Sequence, residues 1–506
     1  MCNLRVICVG VDCYFVELQH ATYENIAVVQ IGLLLCSISD GFIFGQMSGM
    51  VDALLGDDHS VEMTPEEVSL MAALINITCI GGYLLVGIIT EISGRRRPIT
   101  FLAMPLAICW IVVFYTRNKV VLLMTRVVVG ISFGGILSLC IICVGEYTPP
   151  NMRPLSLNLV LGVGGQTGCT LGHVLSIFFN WRTVALIGLV PTMLSCIMTA
   201  FWVESPSWLA SKGRFQECQD AYKSLHVMNQ EKETELEKLI AFEKLKNVAS
   251  KETNSPKPAK KLIWACKQMY LWKIILLSTM LNVYRVAAGR MLFYTMALTI
   301  FKELTGYSNL LMMTLLIDGF GIIGAMMSCV LMKLYRIRSL LLLSATLGNV
   351  LLIALSIVLY YYPNVDDGTG WCKAILLALY LVIVNSGPYP ATETLYSEIF
   401  PLEAKSFCIF IIGIISSIMQ FLAILLAQHM FQNIGYSAVF MINALIVFIS
   451  LGYLWIFLPD TKDKTLQEIE LLFKKDSNFD TNDLRNDIKA TDCMLEKTET
   501  TAAKVV

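Results

Sequence analysis

Twelve stretches of predominantly apolar residues divide this chain, near 26-51, 68-90, 99-116, 120-145, 157-179, 183-203, 273-301, 308-333, 338-361, 372-395, 405-431 and 435-458. No other feature restricts its fold as tightly. A segment crossing hydrocarbon must satisfy each backbone amide within itself, and about 20 helical residues do so across a bilayer. The expected fold is therefore an all-α membrane protein of twelve transmembrane helices. Composition agrees, because 56% hydrophobic and 15% charged residues lie far from the balance of a soluble globular chain.

The segments before and between the spans add restrictions. The first 25 residues hold only a short apolar run, broken at Asp12 and without a small-residue cleavage site, so they read as a cytoplasmic N-terminus rather than a signal peptide. The 16 cysteines lack paired or metal-type spacing and read as packing or lipid-facing residues. The sequon at Asn76 falls inside the second span. "GVGG" at 162-165 lacks the Gly-Lys-Ser ending of a phosphate loop, and the five histidines are scattered. No cofactor, metal site, nucleic-acid surface, obligate protein partner or enzymatic constellation is indicated.

Charge sets the expected orientation. "GRRRP" (94-98), Arg153, a Lys-rich stretch, "KLYRIR" (333-338) and Lys405 follow the even-numbered spans, whereas the first loop reads "DDHSVE" (57-62). The positive-inside bias then puts both termini in the cytoplasm of a multi-pass plasma-membrane protein. The spans fall into an N-terminal bundle (26-203) and a C-terminal bundle (273-458), joined by 204-272 and followed by a polar tail (459-506). Within the connection, "EKETELEKLIAFEKLK" (231-246) has the spacing of short amphipathic helices and "SPKPAKK" (255-261) that of a flexible return. Six plus six spans around a charged linker is the plan of a two-bundle transporter, whose site lies near the midplane between the halves.

Five ordered stretches carry a closer resemblance. "GIITEISGRRRP" (87-98) resembles the G-x-x-x-D-R-x-G-R-R loop of the major facilitator superfamily, with Glu91 in the Asp place. "RVVVGISFGG" (126-135) with "EYTPPNMR" (146-153), "VESPSWLASKGR" (203-214), "GPYPATETLYSEIFP" (387-401) and "LPDTKDKTLQEIE" (458-470) resemble segments of its sugar porter family. Within that family the chain looks most like the insect facilitated trehalose transporter branch. The resemblance implies a cytoplasmic gate of Glu91, Arg95, Arg96, Arg126, Glu146, Arg153, Glu204, Glu398 and Lys405, pairing across the bundles. The second-half copy of the loop, "LMKLYRIRS" (331-339), is degraded.

The implied substrate site departs from the family. Sugar porters read hydroxyls with side-chain amides and cover the ring with an aromatic face. Aligned on "FYT" (293-295), span 7 puts Val283 and Tyr284 at the two Gln positions, Gly289 at the Asn and Arg290 at the following small residue. Ala391 stands at the span-10 Trp, and Phe320 lies near the span-8 Asn. Gln166 is a retained amide. With Tyr284, Arg285, Gly289, Arg290, Tyr294 and Asp318 it completes the candidate substrate site. An arginine in the bilayer core needs a partner or an aqueous cavity, so Arg285 either pairs with Asp318 to fix spans 7 and 8 or binds an anionic group of the cargo. Asp40 is a further intramembrane carboxylate. The Asp of proton-coupled members falls at Met47, which favours facilitated diffusion.

The implied activity is alternating-access transport of a hexose, a trehalose-like disaccharide or a polyol. An anionic solute held by Arg285 and Arg290, or a non-transporting nutrient sensor, are the alternatives.

Overall fold

The computed structural model describes residues 2-56, 60-148, 152-226, 228-252, 269-305, 310-363, 367-400 and 405-459; the side chains of 2-25 and of some helix-end residues lie outside that description. Helices and turns account for its regular structure, with no strand among the described residues. Among the described residues ten helices are long and apolar enough to cross a membrane. Twelve crossings arise because Lys405–Phe457 is divided at Gly435 (φ 79°) into spans 11 and 12, and because span 5 is assembled from three pieces. These are Arg153–Leu157, a π-helical turn Asn158–Gly164, and Gly165–Phe178. A π turn leaves the ladder locally under-bonded and is frequent at functional sites.

In the first half, span 1 lies within Cys2–Leu55, span 2 is Pro65–Ser93, span 3 Arg96–Tyr115, span 4 Lys119–Tyr147 and span 6 Trp181–Thr199. Sequence chemistry sets several starts. Thr64 accepts from the Glu67 amide at 3.3 Å while Glu67 reaches back to the Thr64 amide at 3.1 Å, a reciprocal cap followed by Pro65. Asn118 and Asn180 cap spans 4 and 6 with their side-chain oxygens.

Lipid supplies no hydrophobic drive between helices, so close approach of backbones at small residues does the packing. Spans 1 and 5 meet in this way: a Cβ on Gly41 would lie 2.0 Å from the Gly165 carbonyl, and one on Gly168 2.0 Å from the Ile38 carbonyl. Spans 2 and 4 repeat the device at Gly82 and Gly134.

Three helices follow span 6, Pro206–Ser211, Phe215–Leu225 and Gln230–Glu252. They close a separate small core around Trp208, Leu209, Tyr222 and Ile240, one helix more than the expected pair; 253-268, with "SPKPAKK", lies outside the described residues. The second half comprises span 7, broken into Met269–Ala287 and Arg290–Thr305, span 8 (Leu310–Leu334), span 9 (Ile337–Tyr361), span 10, broken into Asp367–Ser386 and Pro388–Glu398, and spans 11 and 12.

Candidate functional site

Spans 1, 4 and 5 of the first half and 7, 8 and 10 of the second surround one cavity, which with its mouth encloses about 1050 Å³. Its lining reaches Pro154, Leu157 and Met332, at the ends of spans 5 and 8 nearest the linker. At the opposite end the halves are joined: Lys302 of span 7 forms an ion pair with Asp52 of span 1, and the Leu298 amide donates to Ser48 Oγ at 2.9 Å. The cavity is thus closed on the far side by these contacts and extends toward the linker, where Asn158 of span 5 donates to the Ala325 carbonyl of span 8 at 3.2 Å and narrows it.

The break in span 7 decides what faces this space. Gly289 takes φ +72°, a left-handed conformation that costs side-chain-bearing residues energy and glycine almost nothing. The chain turns there, and two carbonyls at the break are met by tyrosines of span 10: Tyr389 donates to the Arg285 oxygen at 2.8 Å and Tyr380 to the Ala288 oxygen at 2.6 Å. Broken backbone at membrane depth is tolerated where such partners replace the lost ladder.

Arg285 does not pair with Asp318. Its Nη2 lies 2.9 Å from Glu393 Oε1 of span 10, with the guanidinium over the rings of Tyr389 and Tyr396. The reason is rotational: past Gly387 the second piece of span 10 turns Glu393 into the cavity. Ala391, expected at the aromatic position, is instead fully buried away from it. Asp318 has a different partner, His173 of span 5, whose Nδ1 lies 2.7 Å from Asp318 Oδ2 and whose Nε2 lies 3.0 Å from the Tyr294 carbonyl oxygen. Sequence reading passed over both Glu393 and His173; an isolated titratable residue inside an apolar span is the signal that could have found them.

The remaining expected substrate residues divide. Arg290 and Tyr294 line the cavity. Arg290 Nε donates to the Tyr294 hydroxyl at 2.5 Å, and that hydroxyl donates to Gln166 Oε1. Asn385 Nδ2 also donates to Gln166 Oε1, at 3.3 Å. Gln166 Nε2 and Asn385 Oδ1 are buried without a partner. Gly321 of span 8 is the residue next to Gln166, where a Cβ would lie 3.1 Å from its amide, and Phe320 is turned outward. Tyr284 is buried and is not part of the cavity wall, and Gly289 contributes the break rather than a contact.

The expected gate is only partly assembled. Arg95 pairs with Glu146 at 2.9 Å, its amide donates to Glu204 Oε1 at 2.8 Å, and Ser205 Oγ donates to Glu146 Oε2 at 2.5 Å. Gly94 is required beneath them, since it has φ +90° and a Cβ there would lie 2.4 Å from Glu204 Oε2. Arg96 donates to the Trp202 carbonyl, Arg153 to that of Thr148, and exposed Glu91 approaches Lys212 at 3.5 Å. All of these contacts stay within the first half and its linker. Among the described residues none of them is paired with a second-half side chain. The side chains of Glu398 and Lys405 lie outside the description.

Arg126 does not belong to this gate. Span 4 starts at Lys119, which pairs with Glu67 at the far side, and Arg126 lies two turns inward from that end. It is fully buried, with Nη2 3.2 Å from Gln46 Oε1.

The family described as Sugar (and other) transporter matches residues 26–473. The chain is 26% identical over 444 residues to the probable metabolite transport protein CsbC of Bacillus subtilis (strain 168), covering 86% of this chain and 92% of that one. It is 26% identical over 451 residues to the facilitated trehalose transporter Tret1 of Bombyx mori, covering 86% and 84%. Among solved structures, the inward open conformation of the xylose transporter XylE from E. coli superposes with a TM-score of 0.68 at 16% identity, covering 88% of this chain and 99% of that one.

Proposed function

The chain belongs to the sugar (and other) transporter family, and on that premise we propose that the cavity shared by spans 1, 4, 5, 7, 8 and 10 is its substrate site, worked by alternating access. One observation carries this reading: a space lined by both halves is closed at one end by contacts between span 1 and span 7 and extends toward the linker at the other. The amides of Gln166 and Asn385, each with one unpartnered polar atom, match hydroxyl groups, which both donate and accept. The arginine-bearing loops and the linker lie at the end away from those contacts, so the positive-inside bias makes this the cytoplasmic face of a plasma-membrane carrier. The residues Arg95, Glu146 and Glu204 then form the first-half part of a cytoplasmic gate that acquires its second-half partners when the cavity closes there. We read the carrier as a facilitator of a sugar or a related hydroxylated solute, since Met47 occupies the place of the coupling carboxylate.

Expression in cells lacking endogenous sugar uptake should give saturable entry that equilibrates without accumulating and is unchanged by a protonophore. Surface expression without saturable entry of any sugar, polyol or organic anion tested would remove the transporter reading.

The far-side closure gives a separate prediction. Lys302 and Asp52 have side chains about four-fifths buried, and losing a partly screened pair of this kind costs about 1 kcal/mol. Asp52→Ala should therefore shift the equilibrium toward the outward-open state about five-fold. The readout is labelling of a cysteine placed at Ser48 by an impermeant maleimide, scored against the parent with Ser48→Cys alone. Unchanged labelling would mean that the ion pair does not bias the closure.

A further inference from the structure

We infer that the cargo is an anionic, hydroxylated solute, its carboxylate held by Arg290 and a hydroxyl by the amide of Asn385, which leans on Gln166. This rests on the transporter reading of the cavity and sharpens it. The two arginines of span 7 are not equivalent. Arg285 is neutralised by Glu393 at 2.9 Å. Arg290 lines the same cavity but has no carboxylate within ion-pair distance among the described residues; only its Nε is used, on the Tyr294 hydroxyl, while the guanidinium lies 5.0 Å from the Tyr294 ring centre and 4.6 Å from that of Tyr389.

An arginine at membrane depth that faces a cavity without a counter-ion marks a place for an anion. Its terminal nitrogens retain the fork geometry that matches a carboxylate.

A second observation extends the site beyond the charge. From Arg290 a hydrogen-bonded chain runs through the Tyr294 hydroxyl to Gln166 Oε1, which also accepts from Asn385. At its end Gln166 Nε2 offers an unused donor and Asn385 Oδ1 an unused acceptor, on residues 0% and 2% exposed. Buried amide atoms are rarely left unpaired. Of the two amides Asn385 lines the cavity, as Arg290 does, and an amide with an unused acceptor beside one with an unused donor suits a hydroxyl of the molecule that Arg290 holds. A neutral sugar would satisfy the amides and leave the cation unanswered. Asp40 on span 1 faces the same cavity, so a cationic sugar is the competing cargo that the experiment has to separate.

The test uses purified full-length protein in detergent, with D-glucuronate, D-glucose and D-glucosamine titrated in turn. Glucuronate should bind about 10- to 100-fold more tightly than glucose, the range of a hydrogen-bonded charge interaction, and 1 M KCl should reduce its binding while leaving that of glucose unchanged. Arg290→Gln should remove the preference and Arg290→Lys should keep most of it. The comparison of ligands on unaltered protein decides the matter even if Arg290→Gln fails to fold. Equal or tighter binding of glucose or glucosamine overturns this inference and leaves the transporter reading intact. Failure of the intact protein to bind or move any of the three, or trehalose, overturns both.

Discussion

Glu393→Leu is expected to prevent the protein from reaching the cell surface, and Arg285→Leu/Glu393→Leu is expected to restore delivery. The single change strands a guanidinium whose Nε already lacks a partner between Tyr389 and Tyr396. Removing one member of a buried pair costs about 3–5 kcal/mol, whereas replacing both with apolar groups is often neutral. Here the Arg285 side chain is 17% exposed and that of Glu393 33%, so water in the cavity screens the loss, and about 2–3 kcal/mol is the better expectation. That is still enough to unfold a marginally stable protein in a large fraction of molecules. Surface biotinylation of the two variants reads the outcome directly. Normal delivery of Glu393→Leu would mean that the pair holds nothing together, and rescue of Arg285→Leu by Asp318→Leu would restore the pairing that the geometry rejects.

The pairing shows where sequence reading reached its limit. The spans were legible because each backbone must close its own hydrogen bonds in lipid, a local demand that twenty apolar residues announce unaided. The family was legible because its loop segments are ordered and punctuated by charged residues. Partnerships across the bundle were not. Sequence offers Asp318 of span 8 as the counter-ion of Arg285, but Gly289 and Gly387 interrupt spans 7 and 10, and a break changes the face that every later side chain presents. Glu393 was visible as an acid in span 10, but only the turned segment Pro388–Glu398 brings it to Arg285.

Arg126 failed for another reason. The motif marks its charge but not its depth: along span 4 it stands 20 residues from Glu146, about 30 Å of helix. The candidates Gln166, Arg290 and Tyr294, named from three separate positions in the sequence, are brought together by the fold in one hydrogen-bonded chain.

His173 should give the largest single-residue effect in the membrane region. It belongs to span 5 of the first half; besides Cys169 one turn away it meets Asp318 and the Tyr294 carbonyl, which belong to the second. The pair is sealed, with side chains 0% and 3% exposed, so no water screens it and the full loss of about 3–5 kcal/mol applies when one partner is removed. The two single variants should differ. After Asp318→Leu, histidine can remain as a neutral ring that donates to Tyr294. After His173→Leu, the Asp318 carboxyl keeps no nearby donor, and an unsatisfied buried polar group carries its whole desolvation cost. Thermal unfolding in detergent should therefore rank parent above Asp318→Leu above His173→Leu, with His173→Leu/Asp318→Leu close to the parent. The double variant should still differ in conformation, because a contact joining the halves on the closed side has been replaced by one without direction. Its population should move toward the outward-open state, read by the same Ser48→Cys labelling. If His173→Leu is as stable as the parent, the ion pair is not what holds span 5 to span 8. If the double variant is as closed as the parent, the closure depends on Lys302, Asp52 and backbone packing alone.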